Sequence, residues 1–177
     1  LLAAFKSLEI EDNPHLLILS ADHHIKNEKK FRELIEIGKI YSEKEKLVTF
    51  GVVPSSPETG YGYIKSEKPF NLQNIEGITI QEFIEKPNFT KAKELIKDKC
   101  FTWNSGIFLF RAKTIINEIK NFSPEIYEAC KKTFKKNLKD FDFQRIDEKF
   151  FETCPNISID VAVMEKTKKG VVLPLDA

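Results

Sequence analysis

Along this chain the spacing of apolar residues switches repeatedly between the period of a strand and that of a helix, and each switch marks an element. Leu16-Leu17-Ile18-Leu19 is wholly apolar and too short for an amphipathic helix, so it predicts a strand buried on both faces, of the kind found inside a mainly parallel sheet. From Asn27 to about Glu43, Phe31, Leu34, Ile35, Ile37 and Tyr41 recur at helical spacing with charges between them, which predicts a helix. Lys46 to Val53 is a second β-rich run, closed by Pro54 and Ser55-Ser56-Pro57. Strand, helix and strand with a connection of this length predict a right-handed parallel crossover.

The middle of the chain changes character. Tyr61 to Lys65, Ile78 to Glu85 and Cys100 to Arg111 read as strands, with a short helix from Lys91 to Asp98 before the third. Helices return from Thr114 to Lys120 and after Ser123-Pro124-Glu125, where serine suits the N-cap and proline the first helical position. A further helical stretch is expected within Phe143 to Phe151, Asp160 is expected to cap a short helix from Val161 to Lys166, and Val171 to Leu173 reads as a last strand. Residues to about Ser7 are helical and Glu11-Asp12-Asn13-Pro14 is a polar turn. The sum is a single α/β domain with a mixed, mainly parallel sheet flanked by helices. No internal repeat or low-complexity segment interrupts it.

Composition narrows the partners. The 177 residues are 41% hydrophobic, with 28 basic and 27 acidic side chains and a net charge of +1, so there is no basic excess to suggest nucleic acid or an anionic membrane. The lysine runs Lys131-Lys132 and Lys135-Lys136 read as the solvated face of a helix. Cys100, Cys130 and Cys154 are odd in number and widely spaced, which indicates a reducing compartment and neither a disulfide framework nor a zinc site. No apolar run approaches the roughly 20 residues needed to cross a bilayer, and a cytoplasmic location is the default expectation. The sequence starts without methionine inside an apparent helix and stops just after an apparent strand, which is expected of a piece of a longer protein.

Four constellations could carry chemistry. Asp22 follows the first strand on a Ser-Ala-Asp turn, at the end where open α/β sheets bind ligands. Its carboxylate either caps the next helix or, with phosphate oxygens and waters, holds Mg²⁺. His23 and His24 read as satisfied loop histidines. In Glu58-Thr59-Gly60-Tyr61-Gly62-Tyr63-Ile64 the glycines allow close backbone approach to a ligand and the tyrosines can pack on a sugar ring or base, although an ordinary hairpin loop has the same residues. In Phe83-Ile84-Glu85-Lys86-Pro87 a strand end offers a carboxylate for hydroxyls and an ammonium for phosphate, or simply two solvated charges. In Trp103-Asn104-Ser105-Gly106-Ile107-Phe108 an amide and a hydroxyl suit sugar hydroxyls, the alternative being a turn packed by Trp103.

The order of these motifs, with Phe50-Gly51 between the first two and Ser158-Ile159-Asp160-Val161-Ala162-Val163-Met164-Glu165 after the last, resembles the bacterial mannose-1-phosphate guanylyltransferases. The similarity covers nearly the whole chain. It is closest to the type whose full chain also carries a cupin with mannose-6-phosphate isomerase activity. The resemblance implies a Rossmann-like nucleotide-diphospho-sugar transferase fold that makes GDP-mannose and pyrophosphate from mannose 1-phosphate and GTP with Mg²⁺. A related enzyme for another sugar 1-phosphate or nucleotide, and a non-catalytic sugar-nucleotide sensor, are the alternatives.

Carried over residue by residue, the resemblance makes Asp22 the metal ligand and catalytic carboxylate, and Lys86 the catalytic, phosphate-facing cation. Gly60, Tyr61, Gly62, Glu85, Lys86, Asn104 and Ser105 bind substrate, with Gly62 and Asn104 facing the sugar and Glu85 its hydroxyls. Asp160 falls in the Ser-Ile-Asp segment and is kept as a helix cap. Because a sugar phosphate oxygen attacks the α-phosphorus in line, no protein nucleophile is required. The family's Gly-rich, Arg-containing signature loop has no counterpart here, and its later Gly-Trp-Ser-Asp stretch and the cupin are also missing. The domain is therefore expected to be incomplete at both ends and inactive by itself. No nucleic-acid or membrane partner is expected, and a homo-oligomer is left open. Polysaccharide or glycolipid synthesis is the implied destination.

Overall fold

In chain order the elements are α1 (Leu2–Leu8), β1 (His15–Ile18), α2 (Glu28–Glu43), β2 (Leu47–Val52), β3 (Tyr63–Ser66), β4 (Ile78–Ile84), α3 (Phe89–Leu95), β5 (Phe101–Arg111), α4 (Ala112–Phe122), α5 (Pro124–Lys135), β6 (Leu138–Asp140), β7 (Phe143–Arg145), α6 (Glu148–Phe151), a π-helical turn (Asp160–Met164) and β8 (Gly170–Leu175). The computed structural model describes residues 1–136, 138–140 and 143–175. They form two compact units, one of Leu1–Pro14 with Ala112–Lys166 and the other of His15–Arg111 with Thr167–Ala177.

The second unit contains the main sheet, in the order β1-β5-β2-β8-β4-β3, and a further pairing of β3 with β5 returns the ladder on itself. β2 and β8 run in parallel, Leu47 opposite Gly170 through Val52 opposite Leu175, and both are almost wholly buried. The residues of α2 that recur at helical spacing explain why: Phe31 and Leu34 pack with Val48, Phe50, Ile107, Leu109, Leu173 and Leu175. Asn27 caps that helix by accepting from the Lys30 N–H at 3.0 Å. At its other end Glu45 takes a left-handed φ of 58°, which lets the N–H groups of Glu45 and Lys46 close on the carbonyls of Ser42 and Tyr41. A second small core joins Ala92 and Leu95 of α3 to Tyr63 and Phe101.

Two expectations about this sheet are corrected. It is mixed but not mainly parallel: among the described pairings β2–β8 is parallel, whereas β1–β5, β2–β5, β3–β4, β3–β5 and β4–β8 are antiparallel. The crossover pattern misled because β5, arriving late in the chain, inserts antiparallel between β1 and β2, leaving those two parallel to each other but not adjacent. The first strand is likewise not central. β1 is at the end of the order, no residue of it is fully buried, and Ile18 and Leu19 are 37% and 54% exposed. A uniformly apolar run reports a preference for burial, not how many neighbours the strand has.

In the first unit, Phe5 of α1 meets Tyr127 and Phe134 of α5 with ring centroids 6.0 and 5.6 Å apart. Ser123 precedes Pro124 as expected, but its hydroxyl makes no cap; it is buried and donates to the Ala162 carbonyl at 3.1 Å. Asp160 is also displaced from the expected role. It is the first residue of the π-helical turn, and Ser158 Oγ accepts from the Val161 N–H at 3.4 Å. The helical stretch expected within Phe143 to Phe151 is the short α6, and β7, which pairs with β6, precedes it. Lys132 and Lys135 of α5 and Lys136 just after it are exposed, and Lys131 is partly so, in keeping with a solvated face. Among the described residues no helix is long and apolar enough to cross a membrane.

Candidate functional site

All the candidate site residues fall in the second unit. Three strands bring most of them together. β3 begins at Tyr63, directly after the loop that ends at Gly62; β4 ends at Ile84, directly before Glu85; and both are held by the ladder β4–β3–β5, with Tyr63 opposite Ile84 on one side and Trp103 on the other. Gly62 is buried, and its carbonyl accepts from the Asn104 N–H at 2.8 Å. A Cβ at Gly62 would lie 3.0 Å from Oε2 of Glu85, 3.3 Å from the Phe83 ring and 3.6 Å from the Asn104 Cβ. Glycine is what allows a carboxylate and an amide to flank the same backbone position.

Lys86 turns away from β4 with φ of 39°, a left-handed conformation in a residue whose side chain and following proline both disfavour it. Such strain persists where the surroundings over-determine it. It sets the Lys86 ammonium 3.3 Å from Oε1 of Glu85, with Lys86 63% and Glu85 31% exposed, so one solvent-facing pair offers an acceptor and a cation side by side.

The Asn104 segment is shaped by an irregularity in β5. β2 and β5 match at Thr49 with Phe108 and again at Gly51 with Asn104, so Phe50 alone faces Ser105, Gly106 and Ile107. The bulging backbone closes through its own polar groups: Asn104 Oδ1 accepts from the Gly106 N–H at 3.2 Å, Ser105 Oγ from the Ile107 N–H at 3.2 Å, and Gly106 takes φ of 70°. Thr49, fully buried on β2, donates to the Ile107 carbonyl at 3.0 Å and lies 3.3 Å from Asn104 Oδ1. The hydroxyl thus pins both sides of the bulge and fixes which way the Asn104 amide faces. Ser105 reaches back to the backbone, and its hydroxyl is engaged there.

Asp22 joins these residues by position. Continuing the β1–β5 register past Ile18 and Phe108 sets Ser20 against Gly106, and Ser20 Oγ is 3.7 Å from where a Gly106 Cβ would be. Asp22 is two residues further, exposed on a turn, and Asn27 rather than Asp22 caps α2. Gly60 is exposed in open space, and Tyr61, half exposed, tilts against Trp103 with ring centroids 5.3 Å apart. The structure therefore groups Gly62, Glu85, Lys86, Asn104 and Ser105, places Tyr61 beside them, and leaves Asp22 and Gly60 on exposed chain nearby in sequence to contacting residues.

Sequence reasoning assigned no role to Thr49 or Gly51. A buried threonine in an otherwise apolar run was the available signal for the first. For Gly51 it was a glycine inside a strand: a Cβ there would sit 2.2 Å from Thr102 Oγ1 and 2.8 Å from Val172. Among the described residues there is no group of three or more His, Cys, Asp or Glu side chains able to hold a metal ion.

The profile of the nucleotidyl transferase family matches residues 2–151. The mannose-1-phosphate guanylyltransferase of Salmonella muenchen is 44% identical over 178 residues, 99% of this chain and 37% of its own length. That of Escherichia coli K12 is 44% identical over 168 residues, 94% of this chain and 35% of its own. The crystal structure titled mannose-6-phosphate isomerase from Helicobacter pylori matches with a TM-score of 0.85 and 31% identity, covering 99% of this chain and 67% of that one. The chain spans a little over a third of the length of the curated relatives it matches. With the profile extending over most of its residues, the chain belongs to the nucleotidyl transferase family.

Proposed function

We propose that the full-length protein transfers a GMP moiety from GTP to mannose 1-phosphate, giving GDP-mannose and pyrophosphate. The observation that carries this reading is the grouping of Gly62, Glu85, Lys86 and Asn104 at one set of strand ends, in a chain 44% identical to two proteins named for that activity. In this reading the Gly62 backbone lets the sugar approach, Glu85 accepts hydrogen bonds from its hydroxyls, the Asn104 amide orients it, and Tyr61 packs on it. Lys86 holds the phosphate. Bringing a phosphate oxygen into line with the α-phosphorus is the protein's main task, and fixed donors and charge supply it without a protein nucleophile.

Asp22 fits a divalent cation of the magnesium type. Its exposed carboxylate is a single hard oxygen donor, and Mg²⁺ in nucleotide sites takes one or two carboxylates and completes its shell with phosphate oxygens and water. When bound there, the ion would offset charge on the phosphates; Asp22 would hold it and Lys86 would share the anion's charge from the sugar side.

The test is pyrophosphate release by the full-length protein with mannose 1-phosphate and each of GTP, UTP, CTP and dTTP. Turnover preferring GTP is expected. Preference for another nucleotide would move the proposal to a sibling transferase, and GDP-mannose binding without turnover would move it to a sensor. The likeness to the Helicobacter pylori protein named mannose-6-phosphate isomerase favours a second activity of the full-length protein, interconversion of mannose 6-phosphate and fructose 6-phosphate. A coupled isomerase assay on the same preparation tests it, and no turnover would remove it.

A further inference from the structure

The first unit contains a feature that neither the sequence spacing nor the proposed transfer reaction uses. Cys130, midway along α5, and Cys154, just after α6, are 24 positions apart in sequence, yet their sulfurs lie 3.9 Å from each other. Both are free thiols. Cys130 is buried at 4% exposure, while Cys154 is partly open to solvent. Two thiols in van der Waals contact need only a closing movement of their side chains to reach bonding distance, about 2.05 Å. One partner can meet a reagent and the other cannot.

We propose that Cys130 and Cys154 form a peroxide-sensitive modification site, at which a hydroperoxide converts the two thiols into an intrachain disulfide. The thiolate of Cys154 attacks one oxygen of the peroxide; the O–O bond breaks, an S–O bond forms, and the second oxygen leaves as water or an alcohol after taking a proton. Cys154 is then a sulfenic acid, oxidised by two electrons. The Cys130 sulfur attacks the Cys154 sulfur, the S–S bond forms, the S–O bond breaks, and the hydroxyl leaves as water with the Cys130 proton. The sum is two thiols and one hydrogen peroxide giving one disulfide and two waters.

The order of attack follows from the surroundings. Cys154, the sulfur open to solvent, meets the peroxide first, and buried Cys130, whose thiol is pushed up to about 11 by burial and then by the neighbouring Cys154, is shielded from the reagent and resolves the sulfenic acid because it is already in contact. A buried resolving thiol also protects Cys154 from over-oxidation, because the second step needs no diffusing partner. The product would staple α5 to the segment after α6. Under reducing conditions the pair stays open.

The experiment is peptide mapping of the full-length protein. It is exposed to hydrogen peroxide, quenched, denatured, alkylated and digested, with and without dithiothreitol before alkylation. The expected result is a Cys130–Cys154 linked peptide, loss of both sites from the alkylated pool, Cys100 still alkylated, and full recovery on reduction. In the Cys154→Ser variant Cys130 should remain alkylated at the same dose. Accumulation of Cys154 sulfinic acid with Cys130 still alkylated would overturn the proposal, as would a linkage through Cys100 or to a second chain. The wild-type map decides the matter even if the variant folds poorly.

Discussion

Replacing Gly62 by alanine tests the candidate site with the smallest perturbation available. The added Cβ would meet Oε2 of Glu85 at 3.0 Å and the Phe83 ring at 3.3 Å, with Asn104 Cβ in ordinary contact at 3.6 Å. The ring is packed in the sheet and Glu85 is on the solvent side, so the carboxylate is the group that yields, by a few tenths of an ångström. The cost to folding is small: crowding of about 1 kcal/mol is offset by about 0.5–1 kcal/mol of backbone entropy that glycine loses and alanine does not. The cost to ligand binding is larger. A hydrogen bond to a charged group contributes about 1.5–3 kcal/mol, and displacing its acceptor forfeits much of that, on the order of 10- to 100-fold in kcat/KM. The assay is steady-state pyrophosphate release by the full-length protein with mannose 1-phosphate varied, alongside a thermal melt. Wild-type kcat/KM in a variant that melts normally would refute the reasoning, because the carboxylate would then have no ligand to lose.

Other outcomes follow from single residues. Thr49→Val removes the hydroxyl that pins the β5 bulge while keeping its shape; it should destabilise the protein by about 1–3 kcal/mol in a denaturant titration and raise KM for the sugar phosphate more than KM for GTP. Lys86→Gly relieves a left-handed φ of 39°, so the melting temperature should rise by the equivalent of about 1 kcal/mol while turnover is lost; a lowered melting temperature would show that the backbone there is unstrained. Glu45→Gly at the end of α2 should stabilise by about 0.5–1 kcal/mol in the same measurement, since the exposed contact with Lys169 that it gives up contributes little. His15 is held below its usual range first by burial and then by the Arg111 charge. Between its folded value and about 6.5 the unfolded chain binds the extra proton, so the stability His15 contributes is whole above pH ~6.5 and is lost as pH falls through that window. His15→Gln should flatten the acid side of a melting-temperature profile against pH.

Much of the fold could be read in the chain because its elements carry their own periods. Phe31, Leu34 and Tyr41 announced α2, while its cap is Asn27 and not Asp22, the residue weighed for it. The strands Lys46 to Val53 and Cys100 to Arg111 were recognisable from unbroken apolar or β-branched runs. What these runs do not encode is order in the sheet: the insertion of β5 between β1 and β2 depends on pairing across nearly a hundred residues, and it makes most pairings of the expected mixed, mainly parallel sheet antiparallel. The Ser123 hydroxyl bonds the Ala162 carbonyl in place of capping α5, and Ser158 accepts at the start of the turn that Asp160 was expected to cap, since a serine before proline can cap a helix or satisfy a distant carbonyl, and only packing selects.

At the candidate site the residue types were legible while their mutual geometry was not. Gly62, Glu85, Lys86 and Asn104 were singled out from chemistry and from the order of motifs, and the structure brings them into contact. Thr49 was overlooked because its function is to hold Asn104, a relation between two strands that no local pattern displays. The pairing of Cys130 with Cys154 was hidden for the same reason, and the spacing alone suggested unrelated thiols.

The central claim is that this cluster binds the sugar phosphate. The most direct measurement is the pair of KM values of the full-length Glu85→Gln variant, one for mannose 1-phosphate and one for GTP. Neutralising the acceptor without changing its shape should raise the first by about 10- to 100-fold, the equivalent of one charged hydrogen bond, and leave the second nearly unchanged. Equal movement of both values, or of neither, would contradict the assignment of Glu85 and its neighbours to the sugar.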